Sequence, residues 1–330
     1  MKPDRIHYID SNLLYGSKNY EIYLSNDLGK NWELVFKIPE TIKKNLIIQT
    51  DLINRLFRNY ISFIIPVDKG NILIFIKNTI IKYDLETKTH RKVNNPKMKK
   101  PLNICRLDSK TVIFGDYLSN KKRNPINIWI TSDAGVNWSI IYNFKDIRHI
   151  HGIFKDPYTN YLWVTTGDED SESKIWKVDL LFKNIEPVIN EGQLSRAVTL
   201  LFSEDYIYYG TDTPFEKNYI CRFNRTTKKI EKMQEVGSSV FWGCKVNNQL
   251  FFSTTIEPSH TNKTRYCELW SSINGIDWEK IKTFKKDLWS MRLFQYGQVF
   301  FPIGENNSRI LFYTPFSTKN HMKFATNNLF

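Results

Sequence analysis

Leu162 to Asp168, LWVTTGD, is a run of large and β-branched residues that stops at a small residue followed by an acid. The run has the composition of a buried strand, and Gly-Asp that of the turn after it. The profile returns in VIFGD (Val112 to Asp116), IYYGTD (Ile207 to Asp212), LFFSTTIE (Leu250 to Glu257) and VFFPIGE (Val299 to Glu305). Gly115, Gly167, Gly210, Thr255 and Gly304 mark these copies at intervals of 52, 43, 45 and 49 residues. LLYGS around Gly16 keeps the phase, because Gly115 follows Gly16 by 99 residues, or two such steps. NILIFIK, Asn71 to Lys77, fills the skipped step, displaced by the segment inserted before it. Seven units of about 47 residues predict an all-β chain folded as a β-propeller of seven blades, each of four antiparallel strands. Six blades is the fallback count. Two stacked β-sandwiches are the rival architecture, but sandwiches do not require so regular a phase.

Within a unit the strands run a to d. Blade 4 is expected at His149 to Phe154, Tyr161 to Thr166, Lys174 to Val178 and Ile185 to Ile189, and blade 7 is expected to open at Leu288 to Phe294. The whole chain, 1–330, forms one domain, interrupted by a short helical insertion at about 39–59, where Ile42, Leu46, Ile47, Ile53, Leu56 and Phe57 fall mostly at helical spacing.

The composition agrees: 41% apolar and 15% aromatic residues can fill a large core. No apolar run approaches the ~18 residues of a membrane helix. The N-terminus carries Asp4, His7 and Asp10 where a secretory leader would be apolar, so a cytoplasmic protein is expected. Cys105, Cys221, Cys244 and Cys267 form no CxxC and read as reduced core thiols. The net charge of +13 is spread over short clusters and favours an anionic partner. Nucleic acid is disfavoured, because a propeller has no groove-reading element and the clusters are scattered.

Two turns share the spacing Ser/Thr-x-Asp-x-Gly-x-x-Trp: SNDLGKNW (Ser25, Asp27, Gly29, Trp32) and TSDAGVNW (Thr131, Asp133, Gly135, Trp138). A third, SSINGIDW, keeps Ser271, Gly275 and Trp278 but has Ile273 at the Asp position. The motif resembles the Asp-box, or BNR repeat, of sialidase-like β-propellers. The resemblance implies a structural role for Asp27 and Asp133, since Asp-boxes lie on the periphery, away from the ligand-binding mouth. The family's Phe/Tyr-Arg-Ile-Pro motif is absent.

In an up-and-down blade the b-to-c loop and the d-to-a connection emerge on one face, and strand a lines the central channel. That face gathers Asp116, Asp168, Asp170, Asp212, Glu257 and Glu305 from the b-strand ends. From the a-strands and their approaches it gathers Arg106, Arg148, His149, His151, Arg196, Trp242, Trp289 and Arg292. Indoles and paired carboxylates suit a sugar, so the expected function is binding or cleavage of an acidic saccharide or other anionic ligand, in the manner of a glycoside hydrolase. In this reading Asp168 is the acid/base, and His149 and His151 are its partners on one strand face. Arg148, Arg196 and Arg292 clamp the anion, with Arg196 lacking a full partner in the empty site, and Trp242, Trp289, Asp116, Asp212 and Glu257 line the mouth. A lyase or epimerase with a His base fits the same residues. The rival class is a non-catalytic propeller that holds a protein partner on this face. No cofactor and no metal is assigned, although His149-x-His151 would be half a metal site if Asp168 or Asp170 supplied oxygen.

Overall fold

The computed structural model describes residues 1–39, 51–93 and 97–329. They form a seven-bladed β-propeller of four-stranded antiparallel blades, with very little helix. The innermost strands of blades 1 to 6 are Arg5–Asp10, Ile61–Val67, Cys105–Arg106, His149–Lys155, Ala197–Phe202 and Val240–Val246. Burial falls from the axis outward. Ala197–Phe202 is buried at every position, whereas the outermost strand of the same blade, Ile230–Val236, is buried only at Val236. Strands covered on both faces need continuous apolar runs, and rim strands need one apolar side at most. This is why the b-strands give the clearest repeat in the sequence. Between blades the packing is apolar; Ile113, Ile128, Ile150, Ile153, Leu162 and Val164 join blade 3 to blade 4.

Blade 7 corrects the expected phase. Leu288 to Phe294 is not a strand; it contains a short helix, α2 (Met291–Phe294), that packs near helix α1 (Asp51–Phe57) of the earlier insertion. The inner strand is the run Gln298–Phe300 and Ile303–Glu305, broken at Pro302. VFFPIGE is therefore an a-strand, followed by Ile310–Phe316 and Ala325–Asn328, and three hydrogen-bonded strands make up this sheet among the described residues. Ile303–Glu305 leaves its own sheet to pair in parallel with Arg5–Asp10, Tyr8 opposite Ile303 and Asp10 opposite Glu305, and this pairing closes the ring. Of the expected 39–59 helix, Asp51–Phe57 is helical; residues 40–50 lie outside the described residues.

The repeated turns work by local hydrogen bonding. Thr131 Oγ1 accepts from Gly135 N at 3.0 Å and donates to Asp133 Oδ1 at 2.8 Å, and Asp133 Oδ1 accepts Asn137 N at 2.8 Å. Ser25, Asp27, Gly29 and Asn31 repeat the arrangement. Gly135 sits at φ +80°, and a Cβ there would lie 2.5 Å from Leu73, so both backbone and packing require glycine. In the third turn the roles shift by one residue: Ser272, not Ser271, bonds Gly275 N at 2.8 Å, and Asn274 supplies the oxygen that the Asp supplies elsewhere.

Candidate functional site

The b-to-c loops and d-to-a connections meet at one end of the channel, and the carboxylate of Asp168 is the centre of the cluster there. Arg148 Nη1 is 2.9 Å from its Oδ2. Around Oδ1 stand Arg196 Nη2 at 3.1 Å, His149 Nε2 at 3.3 Å and His151 Nε2 at 3.4 Å. Strand geometry puts the two histidines on one face, and the turn after Gly167 brings Asp168 across to them, because His149 pairs with Gly167 in the ladder. Burial opposes ionisation of Asp168, but His149 and His151, when their rings are protonated, outweigh it through hydrogen bonds and charge and hold the carboxyl well below its usual range.

Arg196 also approaches Asp212 Oδ2 at 3.4 Å. Asp212 is 2% exposed; burial and the negative charge of Glu257 push its carboxyl up to about 7, against the pull of Arg196 and His151. Glu257 is raised as well, chiefly by burial. Asp212 Oδ1 and Glu257 Oε2 are buried without a hydrogen bond of ordinary geometry. Asp168 is thus held as an anion, while Asp212 keeps its proton up to near-neutral pH and Glu257 is shifted in the same direction.

The structure moves several expected residues. Asp116 is occupied within its own blade, accepting from Lys99 N at 2.8 Å, Trp129 Nε1 at 3.1 Å and Asn127 Nδ2 at 3.1 Å. Asp170 accepts from Gln193 Nε2 at 2.8 Å. Trp242 stays at the channel, donating to Gln298 Oε1 at 2.9 Å. Arg292 and Trp289 belong to the α2 segment, not to a channel strand, and both side chains are exposed. Arg196 is not unpartnered: it is 7% exposed and bound to two carboxylates. Asp168, ionised among these cations, is not the proton donor.

Four residues the sequence reading missed complete the mouth. Tyr117 lies with its ring 4.3 Å from that of His149, and burial together with Asp212, Asp168 and Glu257 pushes its hydroxyl up. Arg5, the first residue of the blade 1 inner strand, is 8% exposed, with its guanidinium 3.9 Å from the Phe300 ring centroid and Nε without a partner. No carboxylate among the described residues pairs with it, and burial lowers it to about 9. Lys100 is lowered to about 8 by burial and then by the charges of Arg5 and Arg58. Burial first, then the charges of Glu257 and Asp212, push the Tyr296 hydroxyl up against the pull of Arg58. The signal for Arg5 was in the sequence: RIH at Arg5 to His7 occupies the strand positions that HIH occupies at His149 to His151.

No protein-family model matches the chain, and no curated protein matches it in sequence. Solved structures do resemble it. The extracellular domain of the one-component system BT4673 from B. thetaiotaomicron superposes with a TM-score of 0.58 at 11% identity, over 98% of this chain and 37% of that one. YCF48 bound to a D1 peptide gives 0.55 at 11% identity, over 99% and 91%. The GH74 enzyme of Niastella koreensis gives 0.54 at 12% identity, over 84% and 45%. At these identities the likeness is one of fold: a propeller shared by glycoside hydrolases and protein-binding modules. Among the described residues no helix is long and apolar enough to cross a membrane.

Proposed function

We propose that this propeller binds an acidic saccharide in the mouth and acts on it by acid–base chemistry. The observation that carries the reading is Arg5, a buried guanidinium with no carboxylate partner among the described residues. A buried cation without a counter-charge is costly, and an anionic ligand group relieves that cost. Arg5, with Lys100 and Arg58 beside it, takes over the clamp that the sequence reading gave to Arg148, Arg196 and Arg292. Arg148 and Arg196 instead hold Asp168 and Asp212 in place. Trp242 and Tyr296 offer ring faces for the apolar side of a sugar.

With the acid group of the ligand at Arg5, the linkage to be broken lies toward Tyr296 and the Asp212–Glu257 pair. Asp212 holds a proton near neutral pH, so it is the general acid for a leaving oxygen, with the raised Glu257 beside it. Asp168 with His149 and His151 forms the opposed, electron-rich centre. This division into a protonated and an ionised carboxyl is the one glycoside hydrolysis requires. The resemblance of the Asp133 and Asp27 turns to Asp-boxes supports the same kinship.

The second reading is a propeller that holds a protein partner on this face without catalysis. It is favoured by Arg148 and Arg196 being neutralised inside the chain already. A melting screen with uronic and sialic acid saccharides, matched neutral sugars and a reducing-end assay separates the two. The saccharide reading expects a rise in melting temperature with the acidic members only, weakened by salt. A flat response across the acidic panel overturns it.

A further inference from the structure

The two histidines of blade 4 are oriented by their outer nitrogens. His149 Nδ1 lies 3.1 Å from the carbonyl oxygen of Leu118, and His151 Nδ1 lies 3.0 Å from that of Ala197. A carbonyl can only accept, so each Nδ1 carries the ring proton, and in the neutral ring each Nε2 is a bare lone pair. These lone pairs converge. The Nε2 atoms stand 3.1 Å apart, and each is within 3.4 Å of Asp168 Oδ1. With both rings neutral, three acceptors face one point and repel unless a proton or a metal ion stands between them.

We propose that His149 Nε2, His151 Nε2 and Asp168 Oδ1 form a binding site for a divalent transition-metal ion, with zinc the first candidate. Tetrahedral zinc with bonds of about 2.0–2.1 Å holds its ligand atoms about 3.3–3.4 Å apart. The three edges here, 3.1, 3.3 and 3.4 Å, form a triangle of that size. Imidazole and carboxylate donors suit zinc, and carbonyls that fix the tautomer are the usual support for a metal-binding histidine. The carboxylate is braced independently: Arg148 holds Oδ2, Asp168 N donates to Glu172 Oε2 at 3.3 Å, and Gln193 Nε2 donates to Asp168 O at 3.0 Å. Arg196 Nη2, 3.1 Å from Oδ1, uses one lone pair of that oxygen and leaves another for the ion. His149 and His151 are 5% and 2% exposed, so a metal would sit in a largely dry setting, where three ligands leave a fourth position for water or a ligand oxygen. The site lies in the mouth but does not rest on the saccharide reading.

The test is made on the metal-stripped full chain without saccharide: calorimetric titration with zinc, and titration with cobalt(II) followed by visible absorption. The expected result is one ion per chain and the strong absorption of tetrahedral cobalt. His149→Gln and His151→Gln should each weaken zinc binding by more than the ~10–100-fold typical of a supporting residue. Absence of a stoichiometric heat and of the cobalt bands in the folded wild type overturns the proposal, as does undiminished binding in the double Gln variant. If a Gln variant fails to fold, the wild-type titrations decide alone.

Discussion

Arg196 and Asp168 are joined across a blade boundary, with Arg196 Nη2 3.1 Å from Asp168 Oδ1 and Arg196 Nη1 donating to the Asp168 main-chain oxygen at 3.1 Å. The same guanidinium faces Asp212, so one cation ties the ionised carboxylate of blade 4 to the protonated one of blade 5. Arg196→Ala should therefore be costly to the free protein, by about 3–5 kcal/mol, because it takes the guanidinium from buried Asp212 and leaves Asp168 with Arg148 alone. Chemical denaturation of wild type and variant measures this. A variant with unchanged stability would mean that Arg196 is poised for a ligand instead.

Ligand affinity should depend on pH in a defined direction. Below about pH 6 Arg5 and Lys100 are charged and Asp212 neutral; rising pH first ionises Asp212 near 7, then neutralises Lys100 near 8 and begins to neutralise Arg5 near 9. All these steps make the mouth more negative, so affinity for an anion falls between about pH 6 and 9. Asp212→Asn should remove the lower part of the fall and Lys100→Met the step near 8, leaving the onset of the Arg5 step near 9, as read by titration across pH.

The Asp133 turn should matter for stability alone. Asp133→Ala loses three hydrogen bonds around one hairpin and should cost ~1–3 kcal/mol. Trp138, packed on Phe75 and Phe114, should cost ~3–5 kcal/mol as Trp138→Ala. Melting curves should shift while saccharide and zinc affinities of the folded variants stay at wild-type values.

Asp156 and Arg225 make a second buried pair away from the mouth, with Arg225 Nη2 donating to Asp156 Oδ1 at 3.1 Å. Burial raises the Asp156 carboxyl, but Arg225 and three further hydrogen-bond donors outweigh it and the net shift is downward. A depressed folded-state value means that the stability is present above the unfolded value of about 3.9 and is lost as pH falls through the folded one. Asp156→Asn should destabilise at pH 7 and flatten the acid limb of a stability-against-pH curve.

The fold was legible because the inner strands are covered on both faces, which forces apolar runs with a fixed period. The meeting of His149, His151 and Asp168 was legible too, since alternation along a strand and the exit side of a b-to-c loop follow from topology. Arg5 was overlooked despite the parallel of RIH with HIH, because a first strand looks peripheral until ring closure, through Tyr8 and Ile303, puts it at the axis. Arg292 and Trp289 were misplaced because the α2 insertion shifts the seventh repeat. The parallel between VFWGCKVNNQLFF (Val240 to Phe252) and VFFPIGENNSRILF (Val299 to Phe312) carried the true phase. Pairing of Arg148 and Arg196 with carboxylates from neighbouring loops depends on distances that no sequence period encodes.

Arg5 is the residue on which binding of an acidic ligand most directly depends. Calorimetric titration of wild type and Arg5→Gln with the acidic saccharide that most raises the melting temperature tests it, with matched neutral sugar as reference. The prediction is a loss of at least about tenfold in affinity for the acidic ligand, no change for the neutral one, and a free protein no less stable than wild type, since an unpaired buried charge has been removed. Equal affinity of both proteins for the acidic saccharide would contradict it.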